Sequence, residues 1–161
     1  MSGRAQGRAG MRLKVISVGR DKDWTGQGVA DYAGRLSHVA ALELVELPAE
    51  RGPHAASIEG EGILAAHGKL KAPSELWALD LGGRELSSVE LAQKVGRLKD
   101  ASIGLSLAIG GDEGLSPAVR EQARFVWSLG RLTLPHRLAR LVVLEQVYRS
   151  FEILRGGPYH K

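Results

Sequence analysis

The sequence contains no cysteine among its 161 residues. This absence excludes disulfide bonds, catalysis by a thiolate and metal sites built on cysteine sulfur. No run of about 18 or more apolar residues occurs, so no segment is predicted to span a membrane. The first ten residues hold two arginines and no apolar stretch, and no signal peptide is predicted. These absences fit a cytoplasmic protein.

Motifs for the commonest nucleotide and hydrolase chemistries are also missing. There is no P-loop, no H-E-x-x-H zinc motif and no G-x-S-x-G nucleophile motif. Residues 19–22, after the first predicted strand, read Gly-Arg-Asp-Lys rather than G-x-G-x-x-G, which argues against a Rossmann dinucleotide site. The histidines lack the spacing of metal ligands, so no metal site is predicted. They are His38, His54, His67, His136 and His160.

The charges are distributed unevenly along the chain. Residues 1–20 carry five basic and no acidic groups. Residues 21–119 carry nine basic and fifteen acidic groups, and residues 120–161 carry eight basic and three acidic groups. Both ends are therefore basic around an acidic middle. A basic surface attracts nucleic-acid phosphates, and the alternative interpretation is a solvated basic face without a partner.

Strand-like and helix-like segments alternate from Met11 onward. This alternation predicts an α/β domain with a mostly parallel sheet flanked by helices. Residues 1–10 are predicted to be a disordered extension, and residues 11–161 a single domain. The predicted strands cover residues 13–18, 42–47, 76–81, 103–109 and 132–134.

Several helix boundaries have sequence signals. Ser87 and Glu90 form a capping-box pattern. Ser116 and Pro117 predict a helix start, and that helix is expected to run to about Trp127. A long helix from about Arg137 to Leu154 has a wide apolar face, which is interpreted either as core packing or as a surface that also contacts a second subunit. Gly156-Gly157 is expected to end it.

Glycines border three predicted strands, at Gly82-Gly83, Gly110-Gly111 and Gly130. Ligands of parallel α/β sheets bind outside the carboxyl ends of the strands, and glycine lets main-chain groups approach a ligand. Gly-Gly after a strand also serves as a simple turn. The apolar segment 130–135 has two interpretations: its backbone groups hold a flat heteroaromatic ring, or it is a fifth core strand that Pro135 ends.

The sequence ends in Tyr159-His160-Lys161. Chain termini are normally disordered, but Pro158 stiffens the approach to this one. Histidine titrates near neutral pH and can move a proton, and tyrosine can stack on a nucleic-acid base.

Four of these segments together resemble the RlmH-type (YbeA-like) ribosomal RNA large-subunit methyltransferases of the SPOUT superfamily. They are residues 107–117, 127–129, 132–136 and 158–160, and the resemblance extends from Met11 to Lys161. It implies a deep C-terminal trefoil knot, a rare exception to the usual topology rules. It also implies a homodimer that binds S-adenosylmethionine in the knot and contacts neither membrane nor DNA.

The activity implied by the resemblance is methylation of N3 of a pseudouridine in helix 69 of the 23S rRNA, within the assembled 70S ribosome. Tyr159 and His160 are placed on the substrate side, beside the cofactor of the partner subunit. The cofactor residues implied are Leu79, Gly110, Gly111, Gly130, Arg131, Leu132, Thr133, Leu134 and Pro135.

Methylation of an imide nitrogen requires loss of its proton. We expect His160 to assist this removal or to orient the base, and Lys161 to stabilise the developing anion or bind a phosphate. Glu113 is a weaker candidate for the base, and its alternative role is an acid near the following helix start. Six arginines are candidate phosphate contacts: Arg120, Arg124, Arg131, Arg137, Arg140 and Arg149.

Two other functions remain open from the sequence. One is a non-catalytic ribosome- or RNA-binding module that retains the fold, which would show a damaged cofactor site. The other is a flavodoxin-like nucleotide-binding enzyme, which would need a phosphate-binding loop after the first strand.

Overall fold

A computed structural model describes residues 10–20 and 23–161. The predicted disordered extension, residues 1–10, lies outside the described residues except for Gly10. Strands and helices alternate along the described chain. They are β1 (Met11–Val18), α1 (Trp24–Leu36), β2 (Ala40–Leu47), α2 (Ala55–Gly68), β3 (Ser74–Glu85), α3 (Ser88–Asp100), β4 (Gly104–Ile109), α4 (Pro117–Gln122), β5 (Phe125–Ser128) and α5 (His136–Leu154).

The five strands form one sheet in the order β2-β1-β4-β3-β5, and every pairing between them is parallel. The predicted α/β architecture with a mostly parallel sheet is confirmed. The central strands β1 and β4 are apolar along most of their length because helices cover both faces of the sheet. The predicted trefoil knot concerns how the chain threads, which the strand order does not test, so it stays a prediction.

Helices form a layer on each face of the sheet. α1, α3 and α5 cover one core, in which Val95, Val143 and Leu107 are buried. α2 and α4 cover the other, which contains Ile63 and Val119. Within residues 10–20 and 23–161, no helix is long and apolar enough to cross a membrane.

The apolar face of α5 serves the core only in part. Val147 and Phe151 are buried, whereas Tyr148 is half-buried and Leu154 is 41% exposed. Core packing therefore explains one side of this face, and the contact with a second subunit stays a prediction.

The sequence signals at two helix ends are confirmed. In the capping box, Glu90 N donates to Ser87 Oγ and Ser87 N donates to the Glu90 carboxylate, each over 3.1 Å. At the end of α5, Gly156 has φ +72°, and the amides of Gly156 and Gly157 donate to carbonyls of the last helical turn. Glycine is favoured there because a side chain strains this left-handed conformation.

The predicted fifth strand and the helix before it are wrong. α4, which begins at Pro117 as predicted, ends at Gln122 instead of continuing to Trp127, and residues 125–128 form β5. Phe125 and Trp127 pair with β3, and the Phe125 ring lies 5.2 Å from that of Trp77. Aromatic residues favour strands when a neighbouring strand is available, and this tertiary pairing outweighs the helical signal. Residues 132–134 are a loop, so the interpretation as a core strand is excluded.

The predicted end of β3 at Gly82-Gly83 is also wrong, because the strand continues to Glu85. Its pairing with β5 shifts register between Leu79 and Arg84. Within this irregular stretch a Cβ on Gly83 would lie 2.6 Å from the carbonyl oxygen of Val126. The glycine therefore allows a close approach of two strands instead of ending one.

Candidate functional site

A cavity of about 580 Å³ opens at the carboxyl edge of the sheet. Its walls come from residues 79–81 of β3, from the turn after β4, from the loop after β5 and from the first turn of α5. The turn contributes Gly110, Gly111, Asp112 and Gly114, and the loop contributes Leu129 and residues 132–135. Cavities of this size hold small organic ligands, and this edge is where parallel α/β sheets bind them.

Seven of the nine predicted cofactor residues line this cavity, and Gly130 and Arg131 do not. Gly130 has φ +129° and shapes the turn, since its N–H donates to the Ser128 hydroxyl, which donates back to its carbonyl. Arg131 is exposed. The seven lining residues are Leu79, Gly110, Gly111, Leu132, Thr133, Leu134 and Pro135.

The loop after β4 is a tight turn closed by backbone contacts. Gly114 N donates to Gly111 O over 3.0 Å, and the two glycines form an antiparallel bridge. A Cβ on Gly110 would lie 2.7 Å from the carbonyl carbon of Gly114. Only glycine fits this position without moving the turn, so backbone forms this wall of the cavity.

The loop after β5 offers backbone groups to a ligand. Among the described residues, no protein group bonds the N–H or C=O of Leu132, Thr133 or Leu134. Backbone groups normally have partners, so these are available to the edge of a heteroaromatic ring. This arrangement favours the interpretation of residues 130–135 as a ring-binding segment.

Two carboxylates at the cavity have basic side chains beside them. Asp112 Oδ1 lies 3.4 Å from His136 Nδ1, and the Asp112 side chain is 91% exposed. Asp80 accepts a hydrogen bond from Gly82 N over 2.9 Å and lies 4.0 Å from Arg120. The Asp112–His136 pair connects the two loops across the cavity mouth.

A third carboxylate, Glu59 of α2, lies behind the cavity wall. Glu59 is 6% exposed, and its Oε2 accepts a hydrogen bond from Glu50 N over 2.9 Å. A Cβ on Gly111 would lie 3.5 Å from both carboxylate oxygens. Glu59 is not predicted from the sequence, because nothing in a helix interrupted by glycines indicates contact with a loop about fifty residues later.

The C-terminal tail packs on α1 and α5. The Tyr159 hydroxyl donates to Glu145 Oε1 over 3.0 Å and lies 3.0 Å from the Tyr32 hydroxyl. Its ring lies 4.9 Å from Tyr148, edge to face. Burial, followed by the contacts with Tyr32 and Glu145, raises the pKa of Tyr159 well above its ordinary value. The tail is therefore ordered at Tyr159.

Arg149 connects Tyr159 to His160. Its guanidinium lies over the Tyr159 ring at 4.9 Å and forms an ion pair with Glu145 at 2.6 Å. The hydrogen bond with Glu145 raises the pKa of Arg149. Arg149 Nη1 donates to His160 Nδ1 over 3.1 Å, so a neutral His160 carries its proton on Nε2. The spacing of four residues between Glu145 and Arg149 is a sequence signal for an ion pair on one face of a helix, and it could have indicated this cluster.

His160 and Lys161 are exposed. Arg149, the contact of His160, lies about 20 Å along the axis of α5 from His136 at the cavity. One chain therefore does not bring the predicted catalytic residues to the predicted cofactor residues.

The six candidate phosphate contacts fall into two groups. Arg120, Arg137, Arg140 and Arg149 each lie within 4.0 Å of a carboxylate. In the part of the chain that the structure describes, Arg124 and Arg131 form no ion pair. Glu113, the weaker candidate for the base, is exposed. Among the described residues, no group of three His, Cys, Asp or Glu side chains could hold a metal ion.

A model of the family described as "Predicted SPOUT methyltransferase" matches residues 11–160. The chain therefore belongs to the SPOUT methyltransferase family. Among its relatives is a ribosomal RNA large subunit methyltransferase H of Limosilactobacillus fermentum, 43% identical over 164 residues, 94% of this chain and 100% of the relative. The protein of the same name from Anaeromyxobacter sp. is 44% identical over 157 residues, 94% of this chain and 100% of the relative.

A solved structure has the same fold. It is a probable methyltransferase from Bordetella pertussis Tohama I, which superimposes with a TM-score of 0.55 at 17% identity and covers 87% of this chain and 94% of its own. At this identity the likeness concerns the fold alone. It supports the strand and helix arrangement described above.

The methyl donor of the family is S-adenosylmethionine. The volume of the cavity fits this cofactor. The unpaired backbone groups of residues 132–134 can bind a purine edge, and the glycines at Gly110-Gly111 form a wall of backbone. The flavodoxin-like alternative is not supported, because the family match assigns the chain to a different fold.

Proposed function

We propose that this chain methylates N3 of a pseudouridine in helix 69 of the 23S rRNA, within the assembled 70S ribosome and in the cytoplasm. Relatives above 40% identity along nearly the whole chain carry the name of an rRNA large-subunit methyltransferase. The observation that carries the proposal is the undamaged cavity with unpaired backbone groups at residues 132–134. A non-catalytic module would have no reason to retain it.

The seven lining residues would hold the cofactor. The N–H and C=O groups of Leu132, Thr133 and Leu134 would bind the edge of the adenine ring, and Gly111 would allow close approach of the chain to the ligand. Bound S-adenosylmethionine supplies a methyl group activated on a sulfonium sulfur. The protein therefore has to align the target base and favour loss of its proton.

The active site needs a second subunit. The cavity and the tail lie at different positions along α5, about 20 Å apart along its axis. We place the tail of one protomer beside the cavity of its partner in a twofold homodimer, so that each dimer has two composite sites. The exposed side of α5, including Leu154, would contribute to this contact.

The contacts of His160 favour an orienting role over that of a proton acceptor. Its Nδ1 already accepts a hydrogen bond from Arg149, so the neutral ring presents Nε2–H as a donor. This donor would bind a carbonyl oxygen of the target base. Lys161 and Arg149 place positive charge nearby, which stabilises the imide anion once the N3 proton has left to solvent.

Two arginines are the best candidates for rRNA phosphate contacts. Arg124 and Arg131 have no ion pair among the described residues, whereas the other four arginines considered do. A cation without an internal partner is available to a phosphate. Charge removal at either is expected to weaken ribosome binding and to lower its salt dependence.

The composite site is tested with two inactive variants. His160→Ala damages the tail, and Thr133→Trp fills the cavity from an exposed position. Co-expressed with different tags, they would form heterodimers with one intact composite site, giving about one quarter of wild-type ribosome methylation in an equal mixture. If tail and cavity acted within one chain, the mixture would remain inactive.

The cofactor site is tested by calorimetric titration with S-adenosylmethionine. Thr133→Trp is expected to abolish binding, and Val89→Trp, at an exposed position on α3 away from the cavity, is the control that retains it. A wild-type protein that bound ribosomes with strong salt dependence but did not bind the cofactor would favour the non-catalytic module.

The substrate is tested with 70S ribosomes, free 50S subunits and ribosomes that lack the pseudouridine. The proposal expects methylation of the first substrate only, at N3 of a single nucleotide. Equal methylation of free 50S subunits would contradict the requirement for the assembled ribosome.

A further inference from the structure

The buried carboxylate of Glu59 is used by neither the cavity lining nor the tail. It lies one residue behind the cavity, since Gly111 both lines the cavity and faces the two Glu59 oxygens. Among the described residues, the carboxylate accepts one hydrogen bond, from Glu50 N, and no cation pairs with it. A buried carboxylate without a cation is costly, so an opposite charge placed in the cavity would stabilise it.

Glu59 differs from the carboxylates that line the cavity. Asp112 is 91% exposed and lies beside His136, and Asp80 lies beside Arg120. Water and these neighbours screen both charges. Glu59, at 6% exposure, is shielded from water, so its field reaches further into the cavity.

We propose that Glu59 is a specificity-determining residue, which makes the cavity favour the cationic sulfonium cofactor over the neutral thioether that remains after methyl transfer. This inference rests on the proposed function, because it requires S-adenosylmethionine in this cavity. The two ligands differ by one methyl group and one positive charge at sulfur. A fixed negative charge behind Gly111 attracts the first and is indifferent to the second, so it favours cofactor loading and release of the product.

The size of the preference follows from the distance. For an assumed separation on the order of 10 Å and the effective dielectric constant of about 20 found in proteins, one unit charge changes the affinity roughly tenfold. Glu59→Gln removes the charge while its amide oxygen can still accept the Glu50 N–H hydrogen bond. The substitution therefore separates charge from shape.

The experiment is isothermal titration of the full-length protein with three ligands: S-adenosylmethionine, S-adenosylhomocysteine, and sinefungin, which carries an amine in place of the methylsulfonium. Glu59→Gln is expected to weaken both cationic ligands roughly tenfold and the neutral thioether less than about twofold. Glu75→Gln is the matched control. Glu75 also accepts one N–H hydrogen bond, from Trp77 Nε1 over 3.0 Å, but lies near the amino end of β3 and does not line the cavity.

Three results would overturn the proposal. An equal loss for all three ligands would assign Glu59 a purely structural role in holding the Gly111 turn. Unchanged affinities of Glu59→Gln for the three ligands would show that the Glu59 charge does not affect binding in the cavity. Wild-type protein that bound the thioether as tightly as the sulfonium would also contradict it, a measurement that stands if Glu59→Gln does not fold.

Failure of the proposed function looks different. It appears as wild-type protein that binds none of the three ligands, or that binds them without methylating ribosomes. Failure of the Glu59 inference alone leaves binding of S-adenosylmethionine and methylation intact in the wild type, with an unchanged affinity ratio in Glu59→Gln.

Discussion

The cavity and the C-terminal tail are built in opposite ways. The cavity uses backbone: a glycine turn at Gly110–Gly114 and a loop with unpaired amides and carbonyls. The tail uses side chains: Tyr159 and His160 are held by Glu145 and Arg149. A backbone site recognises the shape of a constant cofactor, whereas a titratable side-chain cluster suits chemistry on a substrate. The difference predicts that changes in the two regions will affect different measurements.

The largest effect is expected from the tail. His160→Ala should lower turnover on ribosomes by about 100-fold or more, because the proposed mechanism uses this side chain on the target base. Affinity for S-adenosylmethionine should remain unchanged. His38→Ala, at another exposed histidine, is the control and should retain wild-type turnover.

His160→Gln distinguishes two roles of this residue. Glutamine can replace the Nε2–H donor but cannot accept a proton as a base. If His160 orients the substrate, His160→Gln should recover part of the turnover that His160→Ala loses. Equal inactivity of the two variants, with intact folding, would favour the proton acceptor instead.

A smaller loss is expected from the tyrosine that anchors the tail. Tyr159→Phe removes the hydrogen bonds to Glu145 and Tyr32 while the ring keeps its contact with Tyr148. Each hydrogen bond contributes about 1 kcal/mol, so loss of both should lower turnover by at most about 30-fold. Cofactor affinity, measured by calorimetry, should not change. A parallel loss of cofactor binding would show that cavity and tail are not independent.

The raised pKa of Tyr159 predicts a pH dependence of stability. Below the ordinary phenol pKa of about 10, both the folded and the unfolded chain hold the proton, and the hydrogen bonds of the tail are fully present. Above it, the unfolded chain releases the proton first, so stability falls as pH rises. Thermal unfolding from about pH 9 to about pH 11 should show a steeper loss for the wild type than for Tyr159→Phe. An equal loss of stability with pH in both proteins would contradict the assignment of this pH dependence to Tyr159.

The smallest effect is expected at the rim of the cavity. Asp112→Asn removes the negative charge from the exposed contact with His136. Exposed pairs contribute little, so cofactor affinity should change by no more than about threefold and turnover at saturating cofactor should stay the same. A large change in turnover would show that the rim takes part in chemistry on the substrate.

Local signals were sufficient where neighbouring residues decide the structure. The capping box at Ser87 and Glu90 and the glycine end of α5 depend on contacts within a few residues, and both were predicted. The glycine-flanked strand ends also predicted where the cavity lies, because parallel strands bring their carboxyl ends to one edge. Seven of the nine residues named for the cofactor line that cavity.

Prediction failed where a distant partner decides the structure. Residues 125–128 form a strand because β3 is available to pair with Phe125 and Trp127. This pairing partner cannot be recognised from the residues next to 125–128 in the sequence. Glu59 was not predicted for the same reason, because its place behind the cavity depends on a contact with the distant residue Gly111. Nor was the hydrogen bond of Arg149, which the sequence placed among candidate phosphate contacts and the structure places on His160.

The sequence by itself determined the alternation of strands and helices, the glycine turns and the family, because these depend on local periodicity and on ordered motifs. Only the tertiary structure decided which strand is fifth, that residues 132–134 keep their backbone groups unpaired, and that the tail lies about 20 Å along α5 from the cavity of its own chain. These features depend on which groups find partners across the fold. Side-chain and backbone partners are set by packing in three dimensions, and spacing along the chain does not encode them directly.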